Sequence, residues 1–263
     1  MTYLFVSYLN LYLSLIKPKL KMHSISMSLI DRRDKPFSRL AAVLVLLFEK
    51  QGHVRVLLTT RAKELRTHGG ETSLPGGKMD EGDRDIIATA FREASEEVSL
   101  PVDSPYIHTL GTLPLLPFHS LIVTPIVALL TDDTLVDKLK PGEGEVDHIF
   151  SYPLESILDP SLAPGLDTLV EHGGDYWPYE ARYHNSIDYP VNAFGGVTYR
   201  VHCYQTSASP ITGMTSDMLI KTAEIAYGKS PSFERYAFDQ LRTYEEMEEA
   251  YERNKTIERN TGA

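Results

Sequence analysis

The sequence predicts an α/β (α+β) protein, an α/β/α sandwich around a mixed sheet with further C-terminal helices. Apolar runs rich in β-forming residues come in pairs, and one strongly amphipathic segment stands between the first pair and the second. Strands, then a helix, then strands favour a mixed sheet with helices packed on it. The composition, 42% hydrophobic and 24% charged over 263 residues, is that of an ordinary globular chain.

Apolar runs bounded by turn residues predict the strands. Residues 40–48 and 54–59 are separated by Glu49-Lys50-Gln51-Gly52, a sequence that predicts a hairpin. The other predicted strands are residues 107–116, 121–130 and 198–205.

Two segments predict helices. Over residues 85–98 the apolar side chains recur at helical spacing, at Ile87, Ala90, Phe91, Ala94 and Val98. A second helix, expected over residues 231–259, carries the apolar stripe Leu241, Tyr244, Met247 and Tyr251. This stripe suits either packing on the chain's own sheet or contact in a homodimer.

Residues 160–190 are rich in turn-forming residues and predict an ordered surface excursion or lid.

The N-terminal segment differs from the rest of the chain in charge. Residues 1–30 contain no Asp or Glu, and their apolar stretch over residues 3–16 is shorter than the roughly 20 residues of a membrane-spanning helix. We therefore expect no membrane span. Lysines follow the apolar run, so a mitochondrial transit peptide, or a disordered start with Met22 or Met27 as the first residue, fits better than a secretory signal.

Charge and cysteine usage limit the function and the compartment. The chain has 26 Lys and Arg residues and 36 Asp and Glu residues. The resulting formal charge of −10 disfavours sequence-independent binding to the phosphate backbone of a nucleic acid. The lone Cys203 excludes an intrachain disulfide and a thiolate zinc cage, and it predicts a reducing compartment. We expect an intracellular protein, in the mitochondrial or peroxisomal matrix or in the cytoplasm; the Ser-Lys-Leu peroxisomal ending is absent.

Three glutamates on the first predicted helix form a candidate chemical centre. Glu93, Glu96 and Glu97 fall within about a 100° arc, where like charges repel each other. A divalent cation would reverse this repulsion, and Mg²⁺ and Mn²⁺ prefer carboxylate oxygens shared with substrate phosphates. Just upstream, Leu74-Pro75-Gly76-Gly77-Lys78 lets the backbone approach a ligand closely. The pattern predicts metal-dependent phosphate chemistry with Mg²⁺ or Mn²⁺ as cofactor.

These residues resemble the box of the Nudix hydrolase family, which runs Gly, five residues, Glu, seven residues, Arg-Glu-apolar-x-Glu-Glu-x-Gly-apolar. The segment here reads Gly77, five residues, Asp83, eight residues, then Arg92-Glu93-Ala94-Ser95-Glu96-Glu97-Val98-Ser99-Leu100. It departs in Asp83, in one extra residue before the helix, and in Ser99 for the last Gly. The first two departures also occur in the coenzyme A diphosphatase branch, which has peroxisomal and mitochondrial members.

A second signature of that branch stands just upstream. The branch pattern is Leu-Leu-Thr-x-Arg-Ser, three residues, Arg, three residues, Gly, three residues, Phe-Pro-Gly-Gly. The sequence reads Leu57-Leu58-Thr59-Thr60-Arg61-Ala62, then Arg66, Gly70 and Leu74-Pro75-Gly76-Gly77. Ala62 stands for Ser and Leu74 for Phe, and the spacing is kept. The two motifs together select the coenzyme A branch far more specifically than the Nudix box alone.

The resemblance implies a role for each matched residue. Glu93, Glu96 and Glu97 would be metal ligands together with the carbonyl of Gly77, and Arg92 would hold the acidic face in place. Arg92 could equally be a surface pair with Glu96. The implied substrate-binding residues are Arg61, Arg66, His68, Gly76 and Gly77. For Arg61, Arg66 and His68 the alternative is a solvated loop charge. Glu145 is the candidate for a further acid near the metals; Glu143 and a mere loop acid are the alternatives.

The implied reaction is hydrolysis of the diphosphate bond of coenzyme A or an acyl-CoA, to adenosine 3′,5′-bisphosphate and (acyl-)4′-phosphopantetheine. Because Ala62 and Leu74 depart from the signature, the alternative substrates are NADH, a dinucleoside polyphosphate or an oxidised nucleotide. Because Ser99 replaces a glycine where a helix end often needs a left-handed residue, the other alternative is an inactive binding module.

The resemblance also suggests how the chain is divided. We expect a basic leader or disordered tail over residues 1–35, a Nudix hydrolase domain over residues 36–210, and a C-terminal helical extension over residues 211–263.

Overall fold

The computed structural model describes residues 39–118 and 121–261, so the leader predicted over residues 1–35 lies outside the described residues. The strands are β1 (Arg39–Lys50), β2 (His53–Arg61), β3 (Thr72–Ser73), β4 (Gly76–Lys78), β5 (Ile107–Thr112), β6 (Leu116–Phe118), β7 (Leu121–Leu130), β8 (Val146–Pro153), β9 (His184–Val191), β10 (Val197–Tyr204) and β11 (Ile211–Thr212). The helices are α1 (Ile86–Val98), α2 (Gly213–Tyr227) and α3 (Tyr244–Thr261), and short 3₁₀ helices cover Asp133–Lys138, Leu154–Ile157, Pro160–Gly165 and Asn192–Phe194.

The main sheet is mixed, as the sequence predicts. Its eight strands include the continuous order β3-β2-β1-β7-β5, with β4 paired to β1, β6 to β7 and β8 to β2. Strand β1 runs antiparallel to β2 and parallel to β7. The glycine strand β4 lies against β1, so the candidate active-site loop is attached directly to the central strand.

Helices cover both faces of this sheet, which confirms the predicted α/β/α sandwich. On one face, apolar residues of β1 and β7 pack with Ala90, Ala94 and Val98 of α1. On the other face, alternate residues of the same strands pack with Met218, Leu219 and Ile220 of α2. Alternating side chains thus place two cores on one sheet. No helix in the described part of the chain is long and apolar enough to cross a membrane.

The predicted hairpin and the first predicted helix are both confirmed. Strands β1 and β2 are joined by Gln51 and Gly52, whose φ angles of 57° and 83° are those of the two-residue turn that suits the twist of a hairpin. Helix α1 begins after Asp85, whose carboxylate caps it by accepting a hydrogen bond from the Ala88 amide at 2.8 Å.

The strand predicted over residues 107–116 is interrupted, and this prediction was wrong in its last third. Strand β5 ends at Thr112 and β6 begins at Leu116, with a register shift between Thr109 and Gly111. Pro114, which has no amide hydrogen for a ladder, stands in the gap. The break opens the edge of the sheet.

The helix predicted over residues 231–259 begins only at Tyr244. The segment before it is held by distant partners instead of by helical hydrogen bonds. The Ser232 amide donates to the Leu158 carbonyl at 2.8 Å, and the Arg200 amide donates to the Gln240 side chain at 2.9 Å. Tyr244 and Met247 of the predicted stripe are buried within the chain. These tertiary contacts override the local helical pattern.

Strands β9, β10 and β11 form a second, three-stranded sheet. The strand predicted over residues 198–205 is β10, paired along its length with β9. Residues 160–190, predicted as a surface excursion, include the start of β9 and a buried anchor. Trp177 is 0% exposed and donates its indole N–H to the Ala181 carbonyl at 2.8 Å.

Two histidines bridge β9 and β10 inside this second layer. His202 Nε2 donates to the Arg235 carbonyl at 2.8 Å, which leaves its Nδ1 to accept from His184 Nε2 at 3.0 Å. The His184 ring stacks on Phe233 with centroids 4.1 Å apart. Burial, together with His202, lowers the pKa of His184 to about 4, and burial lowers the pKa of His202 as well.

We predict that this pair makes the fold acid-sensitive. A histidine in the unfolded chain has a pKa of about 6.5. Below that pH the unfolded chain therefore binds protons that the folded histidine pair does not bind. The free energy of unfolding, measured by urea titration, should fall as the pH decreases from about 6.5 to about 4. In His184→Gln this slope should be smaller, whereas replacing the exposed His108 in the same way should leave it unchanged. An undiminished slope in His184→Gln would contradict the assignment.

Candidate active site

Arg92 and Asp83 form a two-point ion pair between helix α1 and the loop that precedes it. Arg92 Nε donates to Asp83 Oδ1 at 2.9 Å, and an Arg92 terminal nitrogen donates to Oδ2 at 3.0 Å. Asp83 Oδ2 also accepts from the Asp80 amide at 3.0 Å and from the Thr89 hydroxyl at 2.9 Å. The Arg92 guanidinium holds the pKa of Asp83 well below its usual range, and Asp83 raises that of Arg92.

The same guanidinium group also contacts two of the candidate metal ligands. It lies 3.0 Å from Glu93 Oε1 and 3.1 Å from Glu96 Oε2, and it donates to the Lys78 carbonyl at 3.0 Å. The pair with Glu96 that sequence reasoning left open is therefore present, but as one of several contacts. Arg92 connects the acidic helix face, the glycine strand and the intervening loop.

The two glycines of β4 bring the backbone directly beneath these carboxylates. Strand pairing sets Gly77 opposite Ala42 of β1. A Cβ atom at Gly77 would lie 2.5 Å from the Glu93 carboxyl group, and one at Gly76 would collide with the Ala42 carbonyl. The Gly76 amide donates to Glu97 Oε2 at 3.1 Å. Only glycine fits this close approach of strand, sheet and helix.

Glu97 is the most enclosed of the three helix glutamates, with 5% of its surface exposed. Burial raises its pKa to about 7, against the Gly76 amide and Arg61, and the charges of Glu93 and Glu145 raise it further. Burial raises the pKa of Glu93 too, despite the opposing effect of Arg92. Glu96 is exposed. The site therefore gathers more negative charge than its own arginines offset.

Glu145 lies close enough to the helix for its charge to raise the pKa of both Glu93 and Glu97. Its loop docks on the end of α1 through the Gly142 amide, which donates to the Glu97 carbonyl at 2.8 Å. The Glu145 carbonyl accepts from the Ala62 amide at 2.9 Å, next to the upstream signature. Glu143, the alternative candidate, is exposed on this loop.

The three candidate substrate-binding side chains differ in their contacts and exposure. An Arg61 terminal nitrogen lies 3.8 Å from Glu97 Oε1, and Arg61 Nε is buried with no hydrogen-bond partner among the described residues. Arg66 is exposed. His68 contacts Glu71, with 3.0 Å between Nδ1 and Oε2. The structure thus joins Arg61 to the acidic centre and leaves Arg66 and His68 on the neighbouring exposed loop.

Ser99, the third departure from the Nudix box, keeps the helix end that glycine usually supplies. Its φ and ψ are 56° and 33°, in the left-handed region, and its amide donates to the Ala94 and Ser95 carbonyls. The Ser99 hydroxyl also donates to the Lys140 carbonyl at 3.2 Å. The substitution therefore leaves the geometry of the acidic helix in place.

Sequence reasoning noted Asp83 only as a departure and missed its position as the anchor of Arg92. The signal was its place in the box, where the first family Glu stands. Within residues 39–118 and 121–261, no three His, Cys, Asp or Glu side chains are gathered as a metal cluster. Glu93 and Glu96 instead face Arg92, and Glu97 faces Arg61.

The chain is similar in sequence to known proteins. The NUDIX domain pattern matches residues 38–172, about half of the chain. Nudix hydrolase 15, mitochondrial, of Arabidopsis thaliana is 36% identical over 195 residues, or 73% of this chain and 60% of that protein. Peroxisomal coenzyme A diphosphatase 1 of Saccharomyces cerevisiae is 32% identical over 194 residues, or 64% of this chain and 55% of that protein. The chain spans less than two thirds of the length of these relatives.

The chain also has partial matches among solved structures. A C. elegans Ap4A hydrolase matches with a TM-score of 0.37 and 21% identity, over 46% of this chain and 84% of that one. The stretch matched to the NUDIX domain contains strands β1 to β8, helix α1, the glycine strand and all three helix glutamates. The chain therefore belongs to the Nudix hydrolase family.

Proposed function

We propose that this protein hydrolyses the diphosphate bond of coenzyme A or an acyl-CoA, with Mg²⁺ or Mn²⁺, to adenosine 3′,5′-bisphosphate and (acyl-)4′-phosphopantetheine. The observation that carries the proposal is the contact between its two motifs. Arg61 of the upstream signature lies 3.8 Å from Glu97 of the Nudix box, so the two signatures share one site. A yeast relative named as a coenzyme A diphosphatase supports the same substrate.

The donor atoms of the site suit a hard divalent cation. Members of the family generally use Mg²⁺ or Mn²⁺. Carboxylates of Glu93, Glu96 and Glu97, with the Gly77 carbonyl, are the oxygen ligands that such ions prefer. When bound, the metal neutralises charge on the non-bridging oxygens and makes a water molecule more acidic.

The chain's own groups then have three tasks. A carboxylate, from Glu93, Glu96, Glu97 or Glu145, accepts the proton of the attacking water. Arg92 keeps the helix face in register with the glycine strand. Arg61, whose buried Nε has no hydrogen-bond partner within the described part of the chain, supplies a fixed cation for a phosphate oxygen. Arg66 and His68 lie on the adjacent loop for the outer phosphate.

Two departures from the coenzyme A signature occur at buried packing positions. Ala62 is 2% exposed and Leu74 is 3% exposed, and Leu74 belongs to the core cluster beneath α2. Because these side chains pack inside the protein, their identity bears on packing more than on the choice of substrate. The two departures therefore do not count against coenzyme A as the substrate. The left-handed Ser99 and the three retained glutamates favour an active enzyme over a binding module.

A substrate panel tests the proposal. With Mg²⁺ or Mn²⁺ present, we expect kcat/KM for coenzyme A or an acyl-CoA to exceed that for NADH, a dinucleoside polyphosphate and an oxidised nucleotide by about tenfold or more. Chromatography should identify adenosine 3′,5′-bisphosphate as a product, and EDTA should abolish its release. A higher kcat/KM for NADH or a dinucleotide would overturn the coenzyme A assignment while leaving the family unchanged.

Removal of one helix carboxylate should eliminate nearly all turnover without unfolding the protein. Glu96→Gln and Glu97→Gln each neutralise a proposed ligand at constant volume, so we expect kcat to fall about a hundredfold or more. Circular dichroism and the melting temperature should stay close to the wild-type values. The matched control is Glu249→Gln, an exposed glutamate on α3, which should keep full activity. Wild-type turnover in either helix variant would refute the assigned role.

The Asp83 anchor should support both stability and rate. In Asp83→Asn the Arg92 guanidinium loses its charged partner, and we expect about 2–3 kcal/mol less free energy of unfolding. The rate should fall about 10–100-fold because the glutamates lose their fixed orientation. Urea titration and initial rates measure the two effects. Asp83→Glu, which keeps the charge, should recover part of both, and a rate no better than that of Asp83→Asn would argue against an anchoring role.

A further inference from the structure

A cavity of about 620 Å³ lies where the edge of the main sheet, helix α2 and the segment before α3 meet. Its volume is within the range of small-molecule sites, about 300–1,000 Å³. The break between β5 and β6 opens it on one side, and residues 240–247 close it on another. Most of it therefore depends on the parts of the chain beyond the NUDIX match at residues 38–172.

The cavity includes Thr124, which lies two strands from the candidate active site, whereas Leu113 and Met218 of its wall belong to the core on the α2 face. The cavity therefore extends around the edge of the sheet. Strand pairing sets Gly77 beside Ala42, and Ala42 beside Thr124, which lines the cavity. Residues in register share a face, and Gly77 lies under Glu93 on that face. Two strand spacings separate Gly77 from Thr124, a distance of about 10 Å.

A second line of contacts joins the two regions. Tyr244 of the cavity wall packs on Ile122, which is paired with Leu40 of β1. The Leu40 carbonyl accepts from the Met79 amide at 2.9 Å, directly after the glycine strand. The cavity wall and the residue that follows the glycine strand are thus both connected to β1 at Leu40.

The cavity wall favours an apolar ligand. Its apolar part includes Leu115, Leu116, Met218, Leu241 and Met247. Several of its charged groups are engaged by the protein: the Tyr199 hydroxyl donates to Asp217, and Arg235 and Lys221 pair with Glu224. Arg235 Nε is buried with no hydrogen-bond partner among the described residues. Arg242 stacks over the Tyr236 ring, 4.7 Å from its centroid. Charged side chains that already have protein partners would bind a phosphate group weakly. The leucine and methionine side chains, by contrast, suit a hydrocarbon chain.

We propose that this cavity receives the acyl chain and the thioester end of the substrate's pantetheine arm. The inference rests on the proposed function, in which the diphosphate lies at Gly77 and the helix glutamates. The arm is a chain of roughly 13 bonds, which spans about 15 Å at the reach per bond of an extended polypeptide. It therefore reaches from the diphosphate past Thr124, and the acyl group attached to its sulfur lies against Leu241 and Met247.

The test varies the cavity and the length of the acyl chain together. Leu241→Trp fills part of the cavity and Leu241→Ala enlarges it, while Phe238→Trp adds the same indole in the same segment at a fully exposed position. Steady-state kinetics are measured with acetyl-, octanoyl- and palmitoyl-CoA. Melting temperatures identify any variant that fails to fold. If one Leu241 variant does not fold, the comparison is made with the other Leu241 variant.

We expect the increase in KM caused by Leu241→Trp to become larger as the acyl chain becomes longer. For octanoyl-CoA, KM should rise about tenfold or more. Leu241→Ala should shift the preference towards longer chains, and Phe238→Trp should match the wild type with every ester. Equal changes in KM for all three esters in the Leu241 variants would overturn the inference while leaving the proposed function intact.

A binding measurement separates failure of the inference from failure of the proposed function. If the wild-type protein hydrolyses none of the esters, the proposed function fails. In that case, the affinity for octanoyl-4′-phosphopantetheine, measured by calorimetry, tests the cavity independently of hydrolysis. Binding by the wild type and Phe238→Trp that is weakened about tenfold or more in Leu241→Trp supports the inference. No binding, or equal binding by all three proteins, overturns it.

Discussion

The contact of Arg92 with Asp83 is the interaction on which the candidate site depends. One guanidinium group holds the loop carboxylate at two points and touches Glu93, Glu96 and the Lys78 carbonyl. Without it, carboxylates crowded on one helix face would repel each other, and the glycine strand would lose a link to the helix. The extra loop residue and the shorter Asp83 are compatible with this geometry, since the aspartate also accepts from Asp80 and Thr89.

Close approach of the backbone is the second constraint. Strand β4 lies between β1 and the carboxylates of α1, and no side chain fits at Gly77 without striking Glu93. This proximity buries Glu97 and raises its pKa to about 7, since its charged form has few partners in the free protein. A site of this kind gains most from a small cation of high charge, which compensates several carboxylates at once.

The C-terminal part of the chain extends the molecule beyond the matched domain. Helix α2 shares a core with the main sheet, while the second sheet and the segment before α3 form the far side of a large cavity. Under the proposed function, the Nudix core would act on the diphosphate, and the additional elements would supply space for the remainder of the substrate. Substrate choice would then be divided between Arg61 near the glutamates and Leu241 in the cavity.

Local patterns in the sequence were enough for the hairpin around Gln51 and Gly52, the helix after Asp85 and the shared helix face of the three glutamates, because each depends on residues near one another in the chain. Tertiary structure alone decided the rest. The segment ahead of Tyr244 is not helical because its polar groups bond to Leu158 and to β10, distant in sequence. The approach of Arg61 to Glu97, and the cavity itself, arise only when separate strands and helices pack, and no periodicity in the sequence records that packing.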